Sequence, residues 1–271
     1  MSEEKIRIED VYKVYGRHEQ RAVTMLREGA DRNAVHEATG CTVGLAGVTV
    51  GIPEGCITCV MGLSGSGKST LVRHLNRLID PSAGRILLDG NDILSLDMPA
   101  LRELRRRKIS MVFQAFGLMP HMNVLDNVAF GLRVRGDPRS QAHETATQWI
   151  ERVGLSDYRA HFPDELSGGM RQRVGLARAL AIDADVLLMD EAFSALDPLI
   201  RYDMQDQLLE LQQRLHKTIV FITHDIQEAL RLGDRIVILR EGRVEQVGTP
   251  SEIREHPANA YVERFVRDRR E

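Results

Sequence analysis

Residues 62–69 read GLSGSGKS and satisfy the G-x-x-x-x-G-K-[ST] phosphate-loop pattern. The preceding run CITCVM predicts a buried strand and the following STLVRHLNRLI predicts a helix, which is the context that this pattern requires. Glycines permit positive φ, so backbone N–H groups at the helix N-terminus can face phosphates. Lys68 adds a charge for the β- and γ-phosphates, and the Ser69 hydroxyl can complete a Mg²⁺ shell. The predicted nucleoside triphosphate contacts are Ser64, Gly65, Ser66, Gly67, Lys68, Ser69 and Thr70.

Polar side chains follow three other predicted strands, where α/β sheets place their ligands. The strand DVLLMDE delivers Asp190, placed to hold Mg²⁺ through water, and Glu191, placed to polarise an attacking water. The strand ISMVFQ ends in Gln114, which can reach a Mg²⁺ or the attacking water, or can be a surface residue. After TIVFIT comes His224, which can donate a hydrogen bond to a γ-phosphate, although a structural role is the alternative. Together these residues predict hydrolysis of the bound nucleotide.

A second glycine-containing turn, LSGGMRQ, precedes a predicted helix. Ser167 occupies an N-cap position, and with Gly168 and Gly169 it exposes further N–H donors for a phosphate. Because the first loop already cradles one nucleotide, we expect this turn to serve a nucleotide on another chain. Tyr15, expected on a loop beside the site, can stack on adenine or can simply pack in the core. Asp197, in SALD, is included among the predicted nucleotide-site residues.

The elements that must position these residues are strands and helices of an α/β protein. Residues 17–42 carry two short helical patterns of polar composition, so we expect a small contribution to the core. Residues 115–167 turn helical, with apolar periodicity at 124–134 and 141–153, and predict a helical subdomain. The run 116–122, FGLMPHM, predicts an adaptable exposed surface that grips a partner helix.

Composition excludes several classes of function. The chain has 271 residues, 43% of them hydrophobic, so it can bury one large α/β core, or one core with a helical satellite. Its net charge of -3 predicts no global attraction to nucleic acid. The basic helix end at 102–108 lacks interleaved aromatic residues and predicts a solvated surface. The chain offers no run of roughly 18 apolar residues that could span a bilayer. Cys56 and Cys59 resemble a C-x-x-C pair, but on one strand they would point to opposite faces, so they predict core residues.

The ordered set GLSGSGKST, Gln114, LSGGMRQ, DVLLMDE with SALD, and TIVFITHD resembles the nucleotide-binding subunit of ABC transporters over nearly the whole chain. The resemblance implies a P-loop ABC ATPase with a RecA-like core, an N-terminal antiparallel β subdomain and an inserted helical subdomain. It implies a head-to-tail dimer that sandwiches each ATP, with Mg²⁺, between Lys68 and Glu191 of one chain and Ser167 and Gly169 of the other. Transmembrane permease subunits, and indirectly an extracytoplasmic binding protein, are the implied partners at the cytoplasmic face of the membrane.

The resemblance is closer to the ATPases of glycine betaine, proline betaine and choline importers. It rests on the 17–42 insertion ending in TGCTVGLAGV, on FGLMPHMNVLDNVAFG and on DEAFSALDPLIR. We therefore expect 1–271 to be a single ABC ATPase domain that energises import of a quaternary or methylated amine. Many members of that subfamily continue into a tandem regulatory domain. Here we expect 249–271 to be a short helical extension without one.

Two alternatives remain. One is a soluble ABC ATPase of nucleic-acid repair or translation, a class that usually carries two cassettes or a long coiled coil, neither of which the sequence predicts. The other is a nucleotide-binding regulator without turnover, which would need a damaged site, whereas Glu191 and His224 are both present.

Overall fold

The computed structural model describes residues 3–113, 117–194 and 196–267. These residues divide into two compact units. The first comprises the chain up to Asp97 together with the chain from Val220 onward, and the second runs from Met98 to Ile219.

The helices and strands follow one another in this order. Residues up to Asp97 form β1 (Glu4–Tyr15), α1 (Glu19–Arg27), α2 (Arg32–Thr39), β2 (Thr42–Pro53), β3 (Ile57–Met61), α3 (Lys68–Leu75), β4 (Ala83–Leu88) and β5 (Asn91–Asp92). The second unit forms α4 (Met98–Arg107), β6 (Ile109–Val112), α5 (Val124–Arg135), α6 (Arg139–Arg152), α7 (Gly168–Ala181), β7 (Val186–Asp190) and α8 (Pro198–Leu215). Strand β8 (Thr218–Thr223) crosses the boundary and precedes α9 (Ile226–Leu232), β9 (Arg235–Arg240), β10 (Arg243–Gly248), α10 (Pro250–Glu255) and α11 (Ala260–Arg267).

The first unit holds an antiparallel sheet of strand order β2-β1-β4-β5. Strand β1 pairs with β2 through partners such as Ile8 and Val50, and with β4 through Ile6 and Leu88. Buried residues alternate with more exposed ones along much of β1, as expected for a sheet that covers the core with one face. This sheet carries Tyr15 at the last position of β1.

The phosphate-loop strand β3 lies in a second sheet. Strand β3 runs parallel to β9, which pairs antiparallel with β10, and β8 lies on the other side of β3. All five residues of β3 are buried, as the apolar run predicts for a parallel strand covered on both faces. The strand begins at a reciprocal contact, because the Ile57 N–H donates to the Asp234 carboxylate at 2.8 Å and the Asp234 N–H donates to the Ile57 carbonyl at 2.9 Å. This anchoring fixes where the following loop begins.

The insertion between β1 and β2 forms its own small core. Its helices α1 and α2 match the two predicted helical patterns. A buried cluster consists of Tyr12, Val14, Ala22, Val23, Leu26, Val35, Cys41, Val43 and Ala46. Four of these nine residues come from α1 and α2, a small share of the buried residues of the chain, as expected. Within the polar composition, these few apolar residues at helical spacing meet the face of β1 and β2.

The second unit packs helices around two parallel strands. Strand β6 pairs with β7 through partners such as Ser110 and Leu187. Helix α5 packs against α6 and α7, and the predicted helices 124–134 and 141–153 correspond to α5 and α6. Asn123 caps α5 by accepting the Asp126 N–H at 2.8 Å, and Gly136 ends it with φ of 103°. Among the described residues, no helix is both long and apolar enough to span a bilayer.

Candidate functional site

The phosphate loop lies in the first unit, between the buried end of β3 and the start of α3. Gly62 has φ of 152°, and a Cβ there would lie 2.2 Å from the Leu239 carbonyl oxygen. Gly67 has φ of 103°, and its Cβ would lie 2.6 Å from the Gly44 carbonyl oxygen. Neither approach is possible for a residue with a side chain. The two outer glycines therefore let neighbouring backbone pack against the loop.

Lys68 is buried and begins α3. Its Nζ donates to the carbonyl oxygens of Gly62 at 2.8 Å and Leu63 at 3.0 Å, so the loop curls around the ammonium group. A Cβ on Gly65, whose φ is 76°, would meet nothing within 4 Å. A loop that wraps a lysine and is open at its middle glycine has the form of an anion-binding cradle, which fits a nucleotide phosphate. Ser69 and Thr70 follow in the first turn of α3.

The predicted adenine-stacking residue, Tyr15, closes β1 and pairs with Thr42 of β2. The expectation of a loop position was wrong, because β1 continues through both tyrosines. The side chain is 41% exposed, and the Lys13 ammonium lies 5.1 Å from the ring centroid. At Gly44, a Cβ would lie 3.0 Å from the Tyr15 ring and 3.4 Å from the Thr70 side chain. Tyr15 is therefore near the first turn of α3 and keeps surface for stacking.

His224 comes directly after β8 and is exposed in the isolated chain. Its neighbours hold the turn: the Thr223 hydroxyl donates to Glu228 at 2.5 Å and accepts the Asp225 N–H at 2.9 Å. The Asp225 side chain in turn accepts the Gln227 N–H at 2.9 Å and caps α9. Sequence reasoning missed Thr223 and Glu228. The aspartate N-cap following the histidine was the available signal.

The two predicted carboxylates lie in the second unit at the end of β7. Asp190 is the last residue of the strand and is 2% exposed. Glu191 follows with φ of 47°, a left-handed conformation that non-glycine residues adopt at a cost of about 1 kcal/mol or more. The Ser194 hydroxyl and N–H both donate to the Glu191 carbonyl, at 2.9 Å and 3.2 Å. This turn redirects the chain immediately after the strand and sets the direction of the Glu191 side chain.

No group of three or more His, Cys, Asp or Glu side chains in the described part of the chain could hold a metal ion. A Mg²⁺ that arrives with a nucleotide needs few protein ligands, because phosphate oxygens and waters fill most of its shell. The Ser69 hydroxyl and the Asp190 carboxylate are oxygen donors of the type it prefers. The cysteines are free, and burial raises the pKa of the Cys59 thiol, as expected for a core residue.

The LSGGMRQ turn also lies in the second unit. Ser167 caps α7 as predicted, with its hydroxyl accepting the Met170 N–H at 3.3 Å. A Cβ on Gly168 would meet nothing within 4 Å, whereas a Cβ on Gly169 would lie 2.8 Å from the Ile200 side chain. The helix N-terminus is thus open at Gly168. Asp197 is exposed at the start of α8, and its side chain makes no capping hydrogen bond to that helix.

The run 116–122 is described from Gly117 onward, because Phe116 lies outside the described residues, as does the predicted site residue Gln114. Leu118, Met119 and Met122 are half-buried, so the expectation of an exposed surface was wrong for them. The buried Asn127 side chain accepts the Met119 N–H at 2.8 Å and donates to the carbonyls of Met119 at 3.1 Å and Met122 at 2.8 Å. Nothing in local periodicity identified Asn127, because its partners lie outside α5.

The structure thus brings the phosphate loop, Tyr15 and His224 into one unit, and Asp190, Glu191 and Ser167 into the other. The sequence of residues 45–194, more than half of the chain, matches the family model described as ABC transporter. The chain belongs to the ABC transporter family. The α/β fold predicted from the motifs is confirmed, since solved ABC cassettes share it.

Individual relatives are similar to this chain over nearly its whole length. The chain is 56% identical over 263 residues to the glycine betaine/proline betaine transport system ATP-binding protein ProV of Escherichia coli (strain K12), covering 97% of this chain and 66% of that protein. It is 46% identical over 268 residues to the trimethylamine N-oxide transport system ATP-binding protein TmoW of Pelagibacter ubique (strain HTCC1062), covering 99% and 78%. The chain spans about two thirds of the length of the glycine betaine proteins that it matches.

A solved ABC structure matches at the level of the fold. It is the dimeric post-hydrolysis state of the ATP-binding cassette MJ0796 bound to ADP and phosphate, with a TM-score of 0.76 and 31% identity. The match covers 90% of this chain and 98% of that one. The resemblance to the ATP-binding subunits of ABC transporters, which rests on the ordered set of motifs, is therefore confirmed.

Proposed function

We propose that this chain binds ATP with Mg²⁺ and hydrolyses it to energise an importer of a quaternary or methylated amine, such as glycine betaine or choline. The observation that carries the proposal is the 56% identity to a glycine betaine/proline betaine ATP-binding protein over 97% of the chain. The likeness to a trimethylamine N-oxide ATP-binding protein supports a methylated amine as the class of solute. None of the comparisons favours a role in nucleic-acid repair or translation.

In the proposed reaction each side chain has one task. Lys68 and the loop N–H groups bind the β- and γ-phosphates, and Tyr15 stacks on the adenine. Mg²⁺, when bound, neutralises charge on the phosphates, and Ser69 and Asp190 are its proposed protein ligands, the latter through water. Glu191 accepts a proton from the attacking water.

Two further residues complete the proposed chemistry. His224 donates a hydrogen bond to the γ-phosphate, and Gln114 contacts the Mg²⁺ or the attacking water. Asp197, at the start of α8, completes the set of residues proposed near the nucleotide.

We expect the active form to be a head-to-tail dimer in which Ser167, Gly168 and Gly169 contact the nucleotide of the partner chain. Gly168→Asp should therefore lower ATP turnover by about 10²-fold or more, because a carboxylate would face phosphates. An aspartate in the first turn favours a helix, and the site around Gly168 is open, so α7 should stay folded. Gly168→Ala is the matched control and should lose much less activity. Gly169 suits the test less well, because any side chain there meets Ile200.

Mixing two inactive variants tests whether the turn at Ser167 to Gly169 contacts the nucleotide of the partner chain. In a dimer of one Gly168→Asp chain and one Lys68→Ala chain, both defects fall in the same site if the contact is between chains, and the other site is intact. Phosphate release should then recover to as much as about half of the wild-type rate. If the mixture stays as inactive as either parent while mixed dimers form, the contact is within one chain and the proposal is wrong.

The proposed membrane contact is the segment around 117–122, which Asn127 clamps to α5. Its half-buried leucine and methionines offer an adaptable apolar surface for a short permease helix. Leu118→Glu should reduce co-purification of the permease by about tenfold, while ATP affinity of the isolated chain stays unchanged. Val134→Glu, at an exposed valine of α5, is the control. Full retention of the permease by Leu118→Glu would exclude this segment as the contact.

With its permease, the chain is proposed to sit peripherally at the cytoplasmic face of the membrane, and an extracytoplasmic binding protein is proposed to deliver the solute. The experiment is to measure phosphate release by the assembled complex with binding protein and a panel of solutes. Stimulation by a methylated amine supports the proposal, and stimulation only by sugars or ordinary amino acids contradicts it.

A further inference from the structure

The helical insertion reaches the phosphate loop through one side chain. Arg32, the first residue of α2, donates from Nη1 to the carbonyl oxygen of Gly65 at 3.3 Å. Its Nη2 donates to the carbonyl oxygen of Val43 in β2. One planar guanidinium therefore joins the insertion, the start of β2 and the middle of the loop. All three lie in the first unit.

The Arg32 contact is one of several hydrogen bonds that hold the loop carbonyls. Lys68 holds the carbonyls of Gly62 and Leu63. The Gly242 N–H donates to the Ser66 carbonyl at 2.9 Å, and the Leu71 N–H donates to the Gly67 carbonyl at 2.8 Å. The Gly65 carbonyl is held by Arg32 instead, a residue from the insertion. Each of these bonds gives a loop carbonyl a partner within the protein and restrains its peptide plane.

Holding the Gly65 carbonyl also sets the direction of the next N–H. The peptide bond between Gly65 and Ser66 is trans, so its carbonyl and its N–H point to opposite sides of one plane. The Ser66 N–H donates to the Leu63 carbonyl at 3.1 Å in this orientation. Gly65 itself has no side chain and has φ of 76°, so the bonds at the Ser66 N–H and at the Gly65 carbonyl restrain this peptide.

The insertion is built rigidly enough to place Arg32. Asp31 caps α2 by accepting the Ala34 N–H at 2.8 Å, and Val35, one turn on from the cap, is fully buried. The Thr39 hydroxyl donates to the Val35 carbonyl at 2.6 Å, and Gly40 ends the helix with φ of 68°. Because the start of α2 is fixed, the Arg32 backbone has a defined position. The planar guanidinium of Arg32 can then donate to two carbonyls at once.

We propose that Arg32 is a positioning residue of the ATP site, through which the 17–42 insertion sets the affinity of the phosphate loop for nucleotide. The inference rests on the proposed ATP binding. Arg32 holds the Gly65–Ser66 peptide in the orientation in which the Ser66 N–H donates to the Leu63 carbonyl, and it places a positive charge against the loop that receives the phosphates. The insertion is thus part of the nucleotide site and not only a decoration of the β sheet.

The test compares Arg32→Ala with Arg27→Ala in the full chain. Arg27 lies in the same insertion and loses the same charge, but it contacts Asp10 at 3.2 Å and the Tyr12 ring rather than the loop. By calorimetry, Arg32→Ala should raise the Kd for ATP and for ADP by about tenfold, the effect of one charged hydrogen bond. Arg27→Ala should leave both constants within about twofold.

A nucleotide-free measurement separates positioning from general destabilisation. Hydrogen exchange of the loop amides, Ser66 included, should be several-fold faster in Arg32→Ala without nucleotide and unchanged in Arg27→Ala. Arg32→Lys should give intermediate affinity, since an ammonium group can hold one carbonyl but does not match the fork. If Arg32→Ala does not fold, Arg32→Lys decides: wild-type affinity overturns the inference, and intermediate affinity with an unchanged melting temperature supports it.

Three results would overturn the inference: wild-type affinity in Arg32→Ala, equal losses in both alanine variants, or unchanged loop exchange. Failure of the proposed function gives a different result, because the wild-type chain itself would then not bind ATP.

Discussion

Glu191→Gln is expected to lower ATP turnover by about 10²-fold or more while leaving the Kd for ATP within about twofold. Glutamine keeps the size of the side chain and removes only its ability to accept a proton from water. Asp190, the neighbouring carboxylate, is buried at the end of β7 and is assigned to Mg²⁺, so it does not replace the lost base. Phosphate release measures turnover, and calorimetry measures binding. The variant should also accumulate an ATP-bound dimer, visible by size-exclusion chromatography.

The control for this variant is Glu241→Gln. Glu241 has φ of 51°, close to the 47° of Glu191, so both substitutions test the same change in a left-handed backbone. Glu241 is exposed in the turn between β9 and β10, and its replacement should leave turnover unchanged. Loss of ATP binding together with turnover in Glu191→Gln would contradict the assigned role.

Lys68→Ala is expected to raise the Kd for ATP by about 10- to 100-fold, because it removes a charged contact to the phosphates. The buried Nζ also holds the carbonyls of Gly62 and Leu63, so the loop loses two bonds. Calorimetry on the nucleotide-free chain measures the effect. Lys108→Ala, which breaks an ion pair with Asp185 at 2.7 Å, is the control and should not change affinity. Unchanged affinity in Lys68→Ala would mean that the loop does not bind the nucleotide as proposed.

The features that could be predicted from the sequence depend only on residues close to one another along the chain. The phosphate loop was identifiable because glycine spacing, a buried strand and a helix start are all local features. The Ser167 cap and helices α5 and α6 followed from N-cap chemistry and apolar periodicity in the same way. These features need no knowledge of which distant segments meet.

The features that escaped prediction depend on contacts distant in sequence or on backbone conformation. Arg32 reaches a loop 33 residues later, and neither its residue type nor its spacing indicates that contact. Asn127 holds the backbone of the segment before its own helix, which periodicity along α5 does not report. The left-handed turn at Glu191 is imposed by the chain around it, against the intrinsic preference of glutamate.

The most direct test of the proposed function is ATP-driven uptake in proteoliposomes that contain this chain, its permease and the binding protein. With ATP on the side of this chain, we predict accumulation of labelled glycine betaine, choline or trimethylamine N-oxide in the wild-type complex. We predict no accumulation with Glu191→Gln, although that variant still binds ATP. Uptake of a methylated amine that is unaffected by Glu191→Gln, or ATP-driven uptake of sugars or ordinary amino acids but of no methylated amine, would contradict the proposal.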